Sequence, residues 1–280
     1  MKSKIFLFFL MTYNLVATAQ LSAVGYKREE YDQFRGSKTY VVLSGDEKFD
    51  AEIKSAASEL WKITPLSFIN NSEFEKLIPE KSASFINLII LEGGGIYHYL
   101  ALFNGGKEKI EKYHYNDMLA YCPINFSQNE NKLVDCSYRV RNMLESMIQA
   151  MEIVEKNDIR GNSLKIVNGL QKIYNSKASI IKERTLLFCD VTIGNKITKS
   201  DISGIYPFKF EICSKEKIEQ VIKDKNKDYY YYQPGITQNK SMFVFDPSNG
   251  EVVYFGYNMM GSNINKGNIK DLAETISGKK

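Results

Sequence analysis

The sequence predicts an α/β (or α+β) protein made of two related sheet-bearing halves with a helical hairpin between them. Three observations lead to this fold class. Short runs of β-branched and aromatic residues alternate with segments whose apolar residues recur at three and four positions. The order of these segments repeats once along the chain at a nearly constant separation. Between the two copies lies a stretch with helical periodicity only. The 280 residues are 44% hydrophobic and 25% charged, with 18 Gly, 6 Pro and 4 Cys. That composition excludes a disordered chain, a collagen-like repeat and a cysteine-stapled miniprotein. The formal net charge of +4 is too small to argue for nucleic acid or an anionic membrane as partner.

Residues 1–19 read as an export signal. Lys2 and Lys4 form a short positive segment, residues 5–11 an apolar one, and Ala17-Thr18-Ala19 a small-x-small cleavage pattern with cutting after Ala19. The apolar run is too short to span a bilayer comfortably. No later stretch has the length and apolarity of a membrane-spanning helix. A polar leader, residues 20–37, follows.

The first α/β half is expected over residues 38–120. Residues 39–43 read as a strand, and Asp46 as the cap of a helix with Phe49, Ile53, Ala56, Ala57, Leu60 and Trp61 on one face. Residues 63–69 contain Thr64-Pro65 and suit an edge strand, because proline cannot donate to a ladder. Ser72 and Glu75 form a capping-box pattern for a helix bearing Phe74, Leu77 and Ile78, limited by Pro79. Residues 85–91 are almost wholly apolar, as a central strand would be. Gly93 to Gly95 turn the chain into a strand at 96–103. Asn104-Gly105-Gly106 then predicts a hairpin turn before residues 107–113.

The helical region is expected within residues 121–183. Val140, Met143, Leu144, Met147, Ile148, Met151 and Val154 form one stripe, capped by Asp135 or Ser137. Leu164, Val167, Leu170, Ile173 and Tyr174 form a second. The other half is expected over residues 184–280. It has a strand at 185–189, a helix after Ser214 with Ile218, Val221 and Ile222, and an aromatic strand at 228–232. Gln233-Pro234-Gly235 reads as a turn. Strands at 241–245 and 251–257 flank a turn at 247–250, and a final helix runs over 268–276. Pro207 follows Pro65 by 142 residues, and Ser214 follows Ser72 by the same interval. The Ile218/Val221/Ile222 stripe follows Phe74/Leu77/Ile78 by 144, and Asn249-Gly250 follows Asn104-Gly105 by 145. These offsets predict an internal duplication. Residues 190–204 break the pattern, being β-branched and glycine-interrupted with no amphipathic stripe. There the second copy's helix is expected to be shortened or replaced.

Chemistry is sparsely signalled. His98 and His114 each sit in a Tyr-His-Tyr triplet, and a hairpin would bring them together near Asp117 and Glu92. No metal-ligand spacing accompanies them, and no metal or other cofactor is expected. Gly93-Gly94-Gly95 leads into a strand rather than a helix, so it is a turn and not a phosphate loop. Glu92 and Asp46, at strand ends of the first half, are the carboxylate candidates for acid–base chemistry, with His98 and His114 the remaining catalytic candidates. Cys122, Cys136, Cys189 and Cys213 allow three disulfide pairings after export, or stand as buried thiols. Aromatic residues are abundant, with 18 Tyr and 16 Phe. Tyr229, Tyr230, Tyr231 and Tyr232, with Tyr254 and Tyr257, are candidates for a recognition surface, because tyrosine offers rigid amphipathic contact area.

The leader ending Ala17-Thr18-Ala19-Gln20, the abundance of Lys, Asn, Ile and Tyr, and the stretch Trp61-Lys62-Ile63-Thr64-Pro65-Leu66-Ser67-Phe68 resemble exported proteins of Bacteroidetes-type bacteria. The resemblance implies a Gram-negative envelope setting and assigns no catalytic residue. The element order of each half also resembles that of thioredoxin-like folds, but no CxxC pair is present. The functional expectation is a periplasmic or extracellular protein that binds a peptide, a glycan or a cell-envelope partner without catalysis. The alternative is a periplasmic hydrolase working through carboxylates.

Overall fold

Each half builds one five-stranded sheet, and the two sheets have the same connectivity. The computed structural model describes residues 28–92, 96–114, 117–127, 136–161, 163–193, 197–236, 240–258 and 265–280. After helix α1 (Arg28–Arg35), the first half runs β1 (Lys38–Val42), α2 (Glu47–Leu60), β2 (Leu66–Ile69), α3 (Asn71–Leu77), β3 (Ala83–Glu92), β4 (Ile96–Asn104) and β5 (Met118–Ser127). Helices α4 (Val140–Lys156) and α5 (Ser163–Asn175) follow. The second half runs β6 (Thr185–Cys189), α6 (Asp190–Ile193), α7 (Lys199–Ile205), β7 (Phe210–Cys213), α8 (Lys215–Lys223), β8 (Tyr229–Ile236), β9 (Lys240–Phe245), β10 (Val252–Asn258) and α9 (Lys266–Ile276). The strand orders are β2-β1-β3-β4-β5 and β7-β6-β8-β9-β10. In both sheets the first three strands are parallel and the last two antiparallel. This shared topology supports an internal duplication of an α/β unit.

The hydrogen bonds refine the repeat's register. Thr39 N–H donates to the Pro65 carbonyl at 2.8 Å, and the corresponding Leu186 N–H donates to Lys209 at 3.0 Å. Pro65 therefore matches Lys209, not Pro207. The cap of α3 is Asn70, which forms a capping box with Glu73, so Ser72 is not the cap. Asn70 matches Ser214, the N-cap position of α8. Both pairs are 144 residues apart, as are the two apolar stripes.

Residues 190–204, where the second copy's helix is expected to be shortened or replaced, hold two short helices, α6 and most of α7, the latter opened by a Thr198–Asp201 capping box. Two other expectations are corrected. Residues 107–113 are not a returning strand: a 3-10 turn at Ile110–Lys112 precedes β5. Gln233, Pro234 and Gly235 are not a turn but part of β8, where Pro234 pairs with Met242. Strand β6 pairs with β8 only as far as Tyr232, so Pro234 faces no strand on that side and costs no ladder bond there. Helix α4 is entered through a 3-10 turn, Ser137–Arg139, with no side-chain cap bond. Asp135, residues 1–27 and the glycine turn 93–95 lie outside the described residues.

Alternation along the strands sorts the core into three clusters. Phe85, Tyr99, Ala101 and Phe103 face outward under α3. Ile86, Leu100 and Leu102 face a shared core, which also takes Leu187, Tyr231, Phe243, Phe245 and Phe255 from the second sheet. Leu186, Phe188, Tyr230, Tyr232 and Val244 face a third cluster under α7 and α9. The shared core is filled by α2, α4, α5 and α8, through residues such as Ile53, Met147, Leu170 and Val221.

The copies contribute opposite faces to that core. In the first half, α2 lies in the shared core and α3 outside. In the second half the matching positions are reversed, with α7 outside and α8 within. The halves therefore stack face to back, in a heterologous arrangement rather than across a two-fold. One consequence is chemical: the junction between them is lined by non-equivalent residues from each copy.

Candidate functional site

A wide opening lies at the far edge of the second sheet. Strand β10 is an edge strand, and α5 runs along it. The Phe255 N–H donates to Asn175 Oδ1 at 2.8 Å, and Gln171 Nε2 donates to the Phe255 carbonyl at 3.2 Å. These two side chains satisfy backbone groups that an exposed edge would otherwise offer to another chain. On the other side α9 packs Ile269, Leu272, Ala273 and Ile276 into the outer cluster. Its N-terminus is held by an Asn265–Asn268 capping box.

Between α5 and α9 remains a cleft of about 470 Å³, within the range of about 300–1,000 Å³ usual for small-molecule sites. Its floor carries Gly256, and Tyr257 stands beside it. Lys172 on α5 and Ser176 just after it face Asp271 and Thr275 on α9. A side chain at position 256 would fall 2.5 Å from Met242 Cε and 2.6 Å from the Tyr254 hydroxyl. Glycine there lets the Tyr254 phenol reach the cleft floor, while its ring stays 2% exposed. Burial raises the Tyr254 pKa, with the Asp271 carboxylate a smaller cause in the same direction. The phenol therefore keeps its proton and can donate. The wall thus offers hydroxyls, the Gln171 and Asn175 amides, the Lys172 ammonium and an Asp271–Lys280 ion pair around one half-buried aromatic ring, a mixed donor and acceptor set that a polyhydroxylated ligand could use.

The tyrosine surface takes a different form from the one the sequence suggests. Tyr230, Tyr231, Tyr232 and Tyr254 are 1–2% exposed. Strand β8 is covered on both faces, so consecutive tyrosines enter different cores instead of presenting one side. Tyr229 is half-buried beside the shared core, with Lys217 Nζ 5.2 Å from its ring. Two of the candidates line the cleft: Tyr257, also half-buried, and Tyr254 through its hydroxyl.

The catalytic candidates do not converge. Asp46 accepts from Phe49 N at 2.9 Å and caps α2. Strand β1 pairs with β3 only up to Ile86. Glu92 ends β3 six residues later, about 20 Å further along the strand, and its side chain lies outside the described residues. His98 is buried, pairing with Ile90 and Asn125 on either side. His114 is exposed and its backbone N–H donates to Asp117 Oδ2 at 2.7 Å, while Lys107 pairs with the same carboxylate at 2.6 Å. His114 lies near the Phe103 end of β4, roughly 17 Å from His98 along the strand. The expected hairpin fails because β5, not residues 107–113, pairs with β4.

The four cysteines are buried thiols outside any disulfide, and Cys189 and Cys213 are direct register partners across β6 and β7. Among the described residues, no cluster of three or more His, Cys, Asp or Glu side chains could hold a metal ion, and no helix is long and apolar enough to cross a membrane.

One carboxyl is strongly perturbed. Glu145 on α4 lies beneath the turn before β10, where Gly250 adopts φ +67° and a side chain would fall 3.0 Å from Glu145 Oε2. Burial pushes the Glu145 carboxyl up to about 7, against the opposing pull of Arg141 and Lys225. The turn covers it, so the role is structural. A carboxyl with a raised folded pKa contributes stability below its unfolded pKa near 4.5, and that contribution is lost as pH rises through about 7. Glu145→Gln is therefore expected to be nearly neutral at pH 4 and stabilising at pH 8. Discounted for partial exposure, the gain is about 1–2 kcal/mol. Thermal melts at the two pH values check this.

No family model matches the chain, no curated protein matches it, and no solved structure matches it.

Proposed function

We propose that the protein is exported and acts in the periplasm or outside the cell as a binding protein with no catalytic step, its ligand a short glycan held between α5, β10 and α9. The cleft lined by Tyr257, Lys172, Asp271 and Thr275 carries this reading. Its size, its mixed donors and acceptors and its aromatic wall suit a saccharide better than an apolar ligand. Export rests on the leader pattern of Lys2, Lys4, residues 5–11 and Ala17-Thr18-Ala19. The resemblance to exported proteins of Bacteroidetes-type bacteria points to a Gram-negative envelope. The thioredoxin-like likeness is kept as kinship of element order alone.

The test is titration of the purified protein with oligosaccharides from envelope polysaccharide, alongside peptides from the same source. Saccharide binding is expected, weakened about tenfold by Tyr257→Ala with little change in melting temperature. Absence of saccharide binding, or binding indifferent to Tyr257→Ala, would refute the assignment. Turnover of the saccharide would refute the non-catalytic part.

A further inference from the structure

At the edge of the second sheet opposite that cleft, two cysteines face each other across neighbouring strands. Cys189 ends β6, Cys213 ends the edge strand β7, and the two are register partners in a parallel pair. Partners in such a register point to the same face, and both thiols enter the shared core. They are 5% and 8% exposed. The Cys189 thiol donates to Asp190 Oδ1 at 3.7 Å. Burial pushes the Cys213 thiol up to about 12, with Cys189, Glu211 and Asp190 acting in the same direction and Lys217 against it. Cys122 pairs instead with Leu100 of β4, and Cys136 precedes the 3-10 turn that opens α4.

The first copy shows what these two positions hold when packing alone decides them. Their equivalents are Val42 and Ile69, register partners at the ends of β1 and β2, and both pack as apolar residues in the outer cluster. In the second copy both members of the pair are cysteine. Neighbouring strands lie about 4.7–4.9 Å apart, inside the span of about 4.4–6.8 Å between Cα atoms that a disulfide bridges. Strand β7 is four residues long and has a strand on one side only. It can therefore shift to bring the sulfurs together without moving the central strands. Thiols held protonated by burial are ill suited to redox catalysis, which needs a thiolate. A disulfide carries no charge and stays buried without that penalty.

We propose that Cys189 and Cys213 form a disulfide that ties the edge strand β7 to β6. The oxidant is itself a disulfide, of a small thiol or of an oxidoreductase. One cysteine attacks it as the thiolate, giving a mixed disulfide and releasing the first thiol. The other cysteine then displaces the second thiol. The Sγ–Sγ bond forms as the oxidant's S–S bond breaks. The two cysteines give up two electrons, and their two protons end on the two released thiols. Exchange takes place while β7 is open, during folding or when the edge frays, because only then are the thiols exposed to base and oxidant. The link joins residues 24 positions apart, a loop whose closure in the unfolded chain favours the folded one. It also fixes the start of α8, whose Ile218, Val221 and Ile222 fill the shared core.

The test refolds the reduced full chain in a mixture of oxidised and reduced glutathione. Remaining thiols are blocked at low pH, and the product is digested without reduction for mass spectrometry. Should refolding give only aggregate, the native reduced chain is held in the same mixture, where fraying of β7 admits the oxidant. A peptide pair joined through Cys189 and Cys213 is expected. The linked protein should melt about 5 °C above the same protein reduced with dithiothreitol. The double variant Cys189→Val, Cys213→Ile carries the first copy's pair and is expected to fold and to lose that redox shift. Should it fail to fold, Cys213→Ala takes its place with the same expectation. Cys189 and Cys213 both recovered as blocked thiols, or either one linked to Cys122 or Cys136, would overturn the proposal. So would a melting temperature indifferent to the link, or a redox shift that persists in the variant. Loss of glycan binding would leave the result untouched, because neither cysteine lines that cleft.

Discussion

Residues 20–134 expressed alone will aggregate or melt without a cooperative transition, although they contain every strand of the first sheet. The inner face of that sheet carries Ile86, Leu100 and Leu102, and α2 adds Phe49, Ile53 and Ala57 to the same cluster. In the whole protein these side chains are covered by α4 and by residues of the second half. Exposing a large apolar side chain forfeits about 1.5–3 kcal/mol. Several such losses exceed the net stability of about 5–15 kcal/mol that an ordinary folded protein possesses. Circular dichroism melts and size-exclusion chromatography of the fragment check this, and a monodisperse fragment with a sharp melt would refute it.

The second large effect is expected from Phe255→Ala. Phe255 is fully buried in the shared core and stacks on Phe243 with ring centroids 5.2 Å apart and planes 9° apart. Both of its backbone groups on the outer edge are held by α5. Removing the ring leaves a cavity whose rigid walls cannot collapse, at a cost of about 3–5 kcal/mol, part of it the lost aromatic pair. The variant should lose stability in both halves at once, because the core it damages belongs to both. Urea denaturation, followed by the shift in midpoint at unchanged slope, measures the loss.

Much of the fold was legible because strand runs and helical stripes are local signals. The apolar run around residues 85–91 became the central β3, and the paired stripes of α3 and α8 kept their 144-residue interval. Strand β5 escaped because Pro123 and the lack of alternation in Met118–Ser127 mask a strand that is buried on most of its length. Helix α7 escaped because it buries only Ile202, too little to produce a stripe. The tyrosine run misled for a tertiary reason. A phenol ring is suited to surface or core, and only the cover supplied to β8 from both sides decides between them. The cleft had no motif, since its residues come from α5, β9, β10 and α9.

The claim that two copies stack face to back around one core is tested most directly by reading one half while damaging the other. Trp61 is the only tryptophan in the chain. It lies in the first half, buried in the shared core, with its indole N–H donating to Thr64 Oγ1 at 3.0 Å and its ring edge-on to Phe34. Its fluorescence in urea should be followed in wild type and in Phe255→Ala, beside amide hydrogen exchange of β8 and β9. A shared core requires the Trp61 midpoint to fall by the same free energy as the second-half amides lose. A Trp61 transition that stays at the wild-type midpoint while β8 and β9 lose protection would contradict it.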